Sequence, residues 1–292
     1  MRYNSSGFYE EKISLLGFGG NLLDTEKNGS CDKEKISEMF HTAFNNGVTF
    51  YFVPPSDNAE LLFGENLSKI NRNEYFLCGG ISLSDFSAEE DISKAFANQL
   101  LRLKNGYFDY YVIENIGKES FEFFKEKNVF DIFFNLRKNG KIKHLGFSFC
   151  GTPEEWKNLL DNYQWDFVRM DLSYYSWNFL GADDFYRDLR KKKNPFIASD
   201  PFMGGVILDP PEEVFDILKN GDPSLSMEEW ALRWFYDKKG LLCIITDPSV
   251  PEELSGYAEI LSSKATLNSA KRLSIKQAAG SFITENSGDT EK

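Results

Sequence analysis

Short apolar runs rich in Val, Ile, Tyr and Phe recur roughly every 25 to 40 residues, and helical patterns fill the gaps. The runs fall at 15–18, 48–53, 75–79, 108–113, 144–148, 167–172, 196–200 and 241–246, eight in all. Between the first two, Ile36, Met39, Phe40, Ala43 and Phe44 stand at i, i+3, i+4, i+7 and i+8, one face of a helix that Asn46-Gly47 ends. Ser87 and Glu90 have capping-box spacing ahead of the stripe Ile92, Ala95, Phe96, Leu100 and Leu103. Further helices fit 59–69, 121–138, 153–162, 183–191, 211–219, 227–236 and 251–261. Strand 48–53 is apolar on both faces, as parallel strands between an interior and a shell of helices must be. Eight βα units in 292 residues predict an α/β fold of the (β/α)8 TIM-barrel type. A doubly wound sheet competes with it, but Gly17-Phe18-Gly19-Gly20 is followed by Leu22 where the last glycine of a dinucleotide fingerprint would stand. The barrel should occupy residues 1–262, and a polar C-terminal tail, without periodicity, residues 263–292.

With 41% hydrophobic and 27% charged residues the chain has the composition of a folded protein. Its formal charge of -12 opposes extended contact with phosphate backbones or anionic lipid, so nucleic acid and membrane are not expected as partners. Cys31, Cys78, Cys150 and Cys243 are too scattered for a metal set, no metal site is expected, and a start without an apolar leader points to the cytoplasm.

Several segments resemble the aldo/keto reductases: Lys12 to Gly20, the stretch from Gly47-Val48-Thr49-Phe50 to Glu60 and Gly64, Gly140 to Ser148, and Glu229-Trp230-Ala231-Leu232-Arg233-Trp234. They run in the family's order from about residue 1 to about 262. Gly146-Phe147-Ser148-Phe149 with Trp165-Asp166-Phe167 is similar to the branch that often carries a ferredoxin-like extension, whose cysteine cluster this chain lacks. The resemblance implies carbonyl reduction by NADP(H), with a Tyr acid acidified by a Lys, an Asp paired to that Lys, and a His that orients the carbonyl. A phenol of ordinary pKa about 10 needs such a cation to give up its proton near neutrality.

On this resemblance the four positions fall on Phe52 (Asp), Asp57 (Tyr), Gly79 (Lys) and Glu114 (His), and all four differ. The nicotinamide pocket falls on Ser148, Phe149, Arg169 and Ser199, with Gly204 in the phosphate-loop segment Pro201-Phe202-Met203-Gly204-Gly205. Thr246 to Pro251 offers no Arg or Lys to a 2'-phosphate, and Asp247 would repel one. Asp57, Glu114, Asp171, Asp200 and Asp247 should gather at the mouth with Arg169. Glu114 and Asp57 could form an acid/base pair, or several carboxylates could hold Mg or Ca; the structural alternative is a Glu114–Arg169 ion pair filling a vacated pocket.

Cys78 and Cys150 read as buried apolar thiols rather than reactive ones. The run Tyr174-Tyr175-Ser176-Trp177 reads equally as a ligand wall or a packed rim, and Arg190-Lys191-Lys192-Lys193 as a solvated helix end. The expected function is an aldo/keto reductase-like barrel without standard reductase chemistry, binding, regulating or scaffolding through a small molecule or protein partner. The alternatives are a divergent NAD(P)H oxidoreductase, or a lyase-like enzyme using Glu114 and Asp57.

Overall fold

The computed structural model describes residues 1–4, 11–21, 33–82, 92–117, 121, 123, 126, 129–179 and 181–286. Cys31 and the Ser87/Glu90 capping box lie outside them. All eight expected strands form: β3 (Leu16–Gly19), β4 (Phe50–Phe52), β5 (Phe76–Ile81), β6 (Phe108–Ile116), β7 (Ile142–Phe149), β8 (Phe167–Asp171), β9 (Phe196–Ser199) and β10 (Leu241–Thr246). They are parallel and close in the order β10-β3-β4-β5-β6-β7-β8-β9, a (β/α)8 barrel. The helices between them are α1 (Lys33–Asn45), α2 (Asp57–Leu67), α3 (Ile92–Arg102), α4 (Val129–Lys138), α5 (Pro153–Asn162), α6 (Tyr174–Phe179), α7 (Ala182–Lys192), α8 (Glu212–Gly221), α9 (Met227–Arg233), α10 (Pro251–Ser262) and α11 (Ser269–Asn286).

Strand alternation divides the apolar residues into two clusters. One lies between sheet and helices; the other, including Phe50, Phe52, Cys78, Tyr110, Val112 and Phe167, fills the barrel. An antiparallel hairpin that the sequence did not announce, β1 (Tyr3–Asn4) with β2 (Ile13–Ser14), carries Ile13 into this inner cluster. At the same end Glu11 accepts from Tyr110 at 2.6 Å and pairs with His144 at 3.2 Å, so His144 stands away from the mouth.

Two of the segments that carry the family resemblance are structural devices. Glu229 and Ser226 form the capping box that opens α9, and Trp230 is wholly buried behind it. Glu60 accepts from Arg102 Nε at 2.5 Å, and any side chain at Gly64 would collide with the Arg102 carbonyl, so the Glu-x-x-x-Gly spacing fits α2 to α3.

Beyond residue 262 the chain forms a packed helix and not the expected polar tail. Helix α11 packs against α8 and α6, and Leu267, Ile275, Ala278, Ala279 and Phe282 are buried there. Its inner face keeps helical spacing, but two of its positions are Ala and its other faces are polar, which hides the stripe. Lys271 adds an ion pair to Asp222 at 2.6 Å. No helix among the described residues is long and apolar enough to cross a membrane.

Candidate functional site

The C-terminal ends of the strands surround a cavity of about 610 Å³ lined by Phe52, Pro55, Ser82, Glu114, Arg169 and Asp171, and by residues of the loops after β3, β9 and β10. Glu114 stands near the end of β6, where the pairing with β7 shifts register between Ile113 and Ile116 and Asn115 takes φ +52°. Alternation from inward-facing Tyr110 and Val112 already turns its side chain into the barrel. Glu114 Oε2 accepts from Arg169 Nη2 at 2.5 Å and from Ser148 Oγ at 2.8 Å. Ser148 Oγ in turn accepts from the Asn115 amide at 2.8 Å. Arg169 also donates to Ser199 Oγ at 3.2 Å, and Ser199 donates to Asp171 at 2.7 Å. Burial pulls the guanidinium down, but Glu114 and Asp171 outweigh it and hold its pKa above the ordinary value.

The four tetrad-equivalent positions do not meet. Phe52 is buried in the barrel with Arg169 lying 5.2 Å over its ring. Asp57 opens α2 behind the N-cap Ser56, has 79% of its side chain exposed, pairs with Arg102 at 3.0 Å and does not line the cavity. A Cβ on Gly79 would stand 2.5 Å from the Phe108 ring, on the helix side, whereas one on Gly80 would stand 2.9 Å from Glu114 Oε1. The β5 position that faces Glu114 is therefore Gly80, one residue beyond the position the family resemblance assigns, as counting alternate residues from inward-facing Cys78 also requires. The acid/base pair of Glu114 with Asp57 is not assembled. Among the described residues, no three His, Cys, Asp or Glu side chains come together to hold a metal ion.

Asp247 is half-buried and clasped by Asn21, whose backbone and side-chain nitrogens donate at 2.9 and 3.0 Å; burial raises its pKa against those bonds. Burial likewise raises Asp200, which accepts from the Gly204 amide at 2.8 Å. Cys78 is sealed in the barrel as expected, but Cys150 is exposed and not buried; partial desolvation and Glu155 still raise its pKa, the opposite of an activated thiol. Tyr174 is buried and Trp177 packs on Tyr186 and Trp234, so the aromatic run is mainly a packed rim; only Ser176 of it lines a small side pocket. The basic block ends α7, with Lys193 at φ +59° as its C-cap and Lys192 paired to Asp161. Sequence reasoning missed Gly80, Asn21 and Glu253; parity along β5 would have found the first.

The cavity does not fit the anionic dinucleotide that the resemblance implies. The polar atoms of Ser148 and Ser199 are already bonded within the protein, and the Arg169 fork is engaged by Glu114, Ser199 and Asp171. The two backbone sites that would meet phosphates serve carboxylates instead. The Gly204 amide donates to Asp200, and the Ser249 amide, just ahead of α10, donates to Glu253 at 2.7 Å. Glu114, Asp171, Asp200, Asp247 and Glu253 line the cavity, and among its described lining residues Arg169 is the one Arg or Lys.

The model of the aldo/keto reductase family matches residues 15–277, and the chain belongs to that family. Solved structures of similar fold include the holo form of an aldo-keto reductase from Bacillus halodurans, with 16% identity over 95% of this chain and 96% of that one and a TM-score of 0.77. The glycerol dehydrogenase of Gluconobacter oxydans has 15% identity over 96% and 97% of the two chains, with a TM-score of 0.77. An aldo-keto reductase from Klebsiella pneumoniae, solved with NADPH, has 15% identity over 95% and 93%, with a TM-score of 0.70. No curated protein matches the sequence.

Proposed function

We infer that this barrel is a pseudoenzyme of its family, a cytoplasmic binding or regulatory protein that takes a small molecule at its mouth and does not reduce carbonyls with NADPH. The observation that carries this reading is the Glu114–Arg169 ion pair seated over Phe52, where the family's reaction needs an acid, a cation and a carbonyl-orienting group. A phenol donor is missing as well, since Asp57 stands at the Tyr position and turns to Arg102. The lyase-like alternative loses Asp57 for the same reason.

Titration of the full chain with NADPH and NADH, followed by its tryptophan fluorescence, together with an aldehyde-reduction assay, tests the reading. Neither nucleotide should bind saturably in the micromolar range. Saturable binding with turnover would overturn the reading in favour of a divergent oxidoreductase using Glu114.

A further inference from the structure

We propose that the mouth of the barrel is a binding site for an organic cation, a primary ammonium on an apolar body, whose nitrogen donates to Glu114 Oε1. The proposal rests on the reading above that the cavity does not hold NADPH. Its first support is an unused acceptor. Glu114 is only 4% exposed and lines the cavity, yet its Oε1 has no hydrogen-bond partner while Oε2 has two. A buried carboxylate oxygen without a donor is costly, and a ligand donor removes that cost. Oε1 packs closely on the bare backbone of Gly80, where a Cβ would stand only 2.9 Å away, too close to fit without a shift.

The second support is charge. Glu114 and Asp171 face Arg169 at 2.5 and 3.7 Å, so two carboxylates meet one guanidinium and the trio lacks one positive charge. Asp200, Asp247 and Glu253 extend the same sign around the cavity. These acids do not converge as a metal site would, among the described residues, and a diffuse negative field with one inner acceptor suits an organic cation better than a bare ion. A single free oxygen also selects an ammonium over a guanidinium, whose planar fork needs both oxygens of a carboxylate, and Oε2 is taken. The third support is the wall. Phe52, Phe202 and Leu208 offer apolar surface, and the Phe202 and Tyr257 rings lie 5.1 Å apart beside the carboxylates. Aromatic faces attract cations and cover apolar groups.

The test is calorimetric titration of the full chain with benzylamine, with benzyl alcohol as its neutral isostere and NADPH as a third ligand. Benzylamine should bind saturably and weaken as salt rises, and the alcohol should bind at least about tenfold more weakly. Gly80→Ala, which crowds Oε1 without changing charge, should abolish binding. Asp171→Asn, at a position with 66% of its side chain exposed, should keep the fold and lower affinity about threefold. Equal binding of amine and alcohol overturns the proposal, as does no benzylamine binding at about 10 mM, beyond the millimolar range in which one such contact registers. If NADPH also fails to bind, the inference about the amine falls alone; if NADPH binds in its place, the reading of the barrel as a non-reductase falls with it.

Discussion

Arg169 Nη2 lies 2.5 Å from Glu114 Oε2, and both side chains are almost wholly buried beneath the barrel mouth. The two residues come from strands β6 and β8, which do not pair with each other, so the contact crosses the inside of the barrel. Arg169 lies over Phe52, the position to which the sequence resemblance assigns an Asp. A carboxylate there would give the guanidinium a third acid to choose from; the phenyl ring instead leaves it to Glu114. Phe52, Glu114 and Arg169 are therefore one packing solution, consistent with one another and with the glycine at 80, where a side chain would collide with Glu114.

Breaking that pair from one side should be severe. Glu114→Leu leaves the buried guanidinium without its closest acid and should cost about 3–5 kcal/mol, whereas Glu114→Leu combined with Arg169→Met should recover most of the loss. Urea unfolding of the three proteins measures both, and the double variant standing below the single would contradict the assignment.

Glu60 supplies a pH signature. Burial raises its carboxyl to about 7 from 4.5, against the opposing pull of Arg102. The folded state then binds a proton between pH 4.5 and 7 that the unfolded state has released, so this group favours folding below about 4.5 and the benefit fades as pH rises through 7. The difference in unfolding free energy between the parent and Glu60→Gln should therefore change by about 3 kcal/mol between pH 4.5 and 8, the parent losing ground as pH rises. A flat difference would mean that Arg102 keeps the carboxylate ionised throughout.

The last helix should behave as part of the barrel. Ile275→Ala removes a side chain that is 2% exposed and should cost about 2–4 kcal/mol, and a chain ending at residue 262 should lose cooperative unfolding. A freely hanging tail would register neither change.

The barrel was legible because its signal is repeated: each strand is a short apolar run, each outer helix shows a one-sided stripe, and eight repetitions leave few architectures. The last helix was not, because Ala278 and Ala279 lend it little apolar contrast beside Ser274, Lys276 and Gln277. Within the site, the family resemblance assigns Phe52, Glu114 and Arg169 to strand ends, and there they stand. The family resemblance assigns Gly79 where Gly80 faces Glu114, and the alternation from inward-facing Cys78 marks the correct glycine. The Asn21–Asp247 clasp joins residues 226 apart in sequence, which no local pattern encodes.

Placing the family's four residues at the positions that the resemblance assigns tests the proposed non-reductase reading. The variant placed by family resemblance, Phe52→Asp, Asp57→Tyr, Gly79→Lys, Glu114→His, should fail first by folding, because Lys at 79 would drive into the Phe108 ring. Moving that lysine to Gly80 aims it into the cavity, and the resulting protein should fold more stably than the first. It should nonetheless show no NADPH-dependent reduction of benzaldehyde, because the amides of Gly204 and Ser249 still serve Asp200 and Glu253 and the mouth still repels phosphate. Turnover above the parent chain would place the whole defect in the tetrad. Turnover that emerges only after Asp200→Asn and Glu253→Gln are added would instead locate the remaining barrier in those two carboxylates.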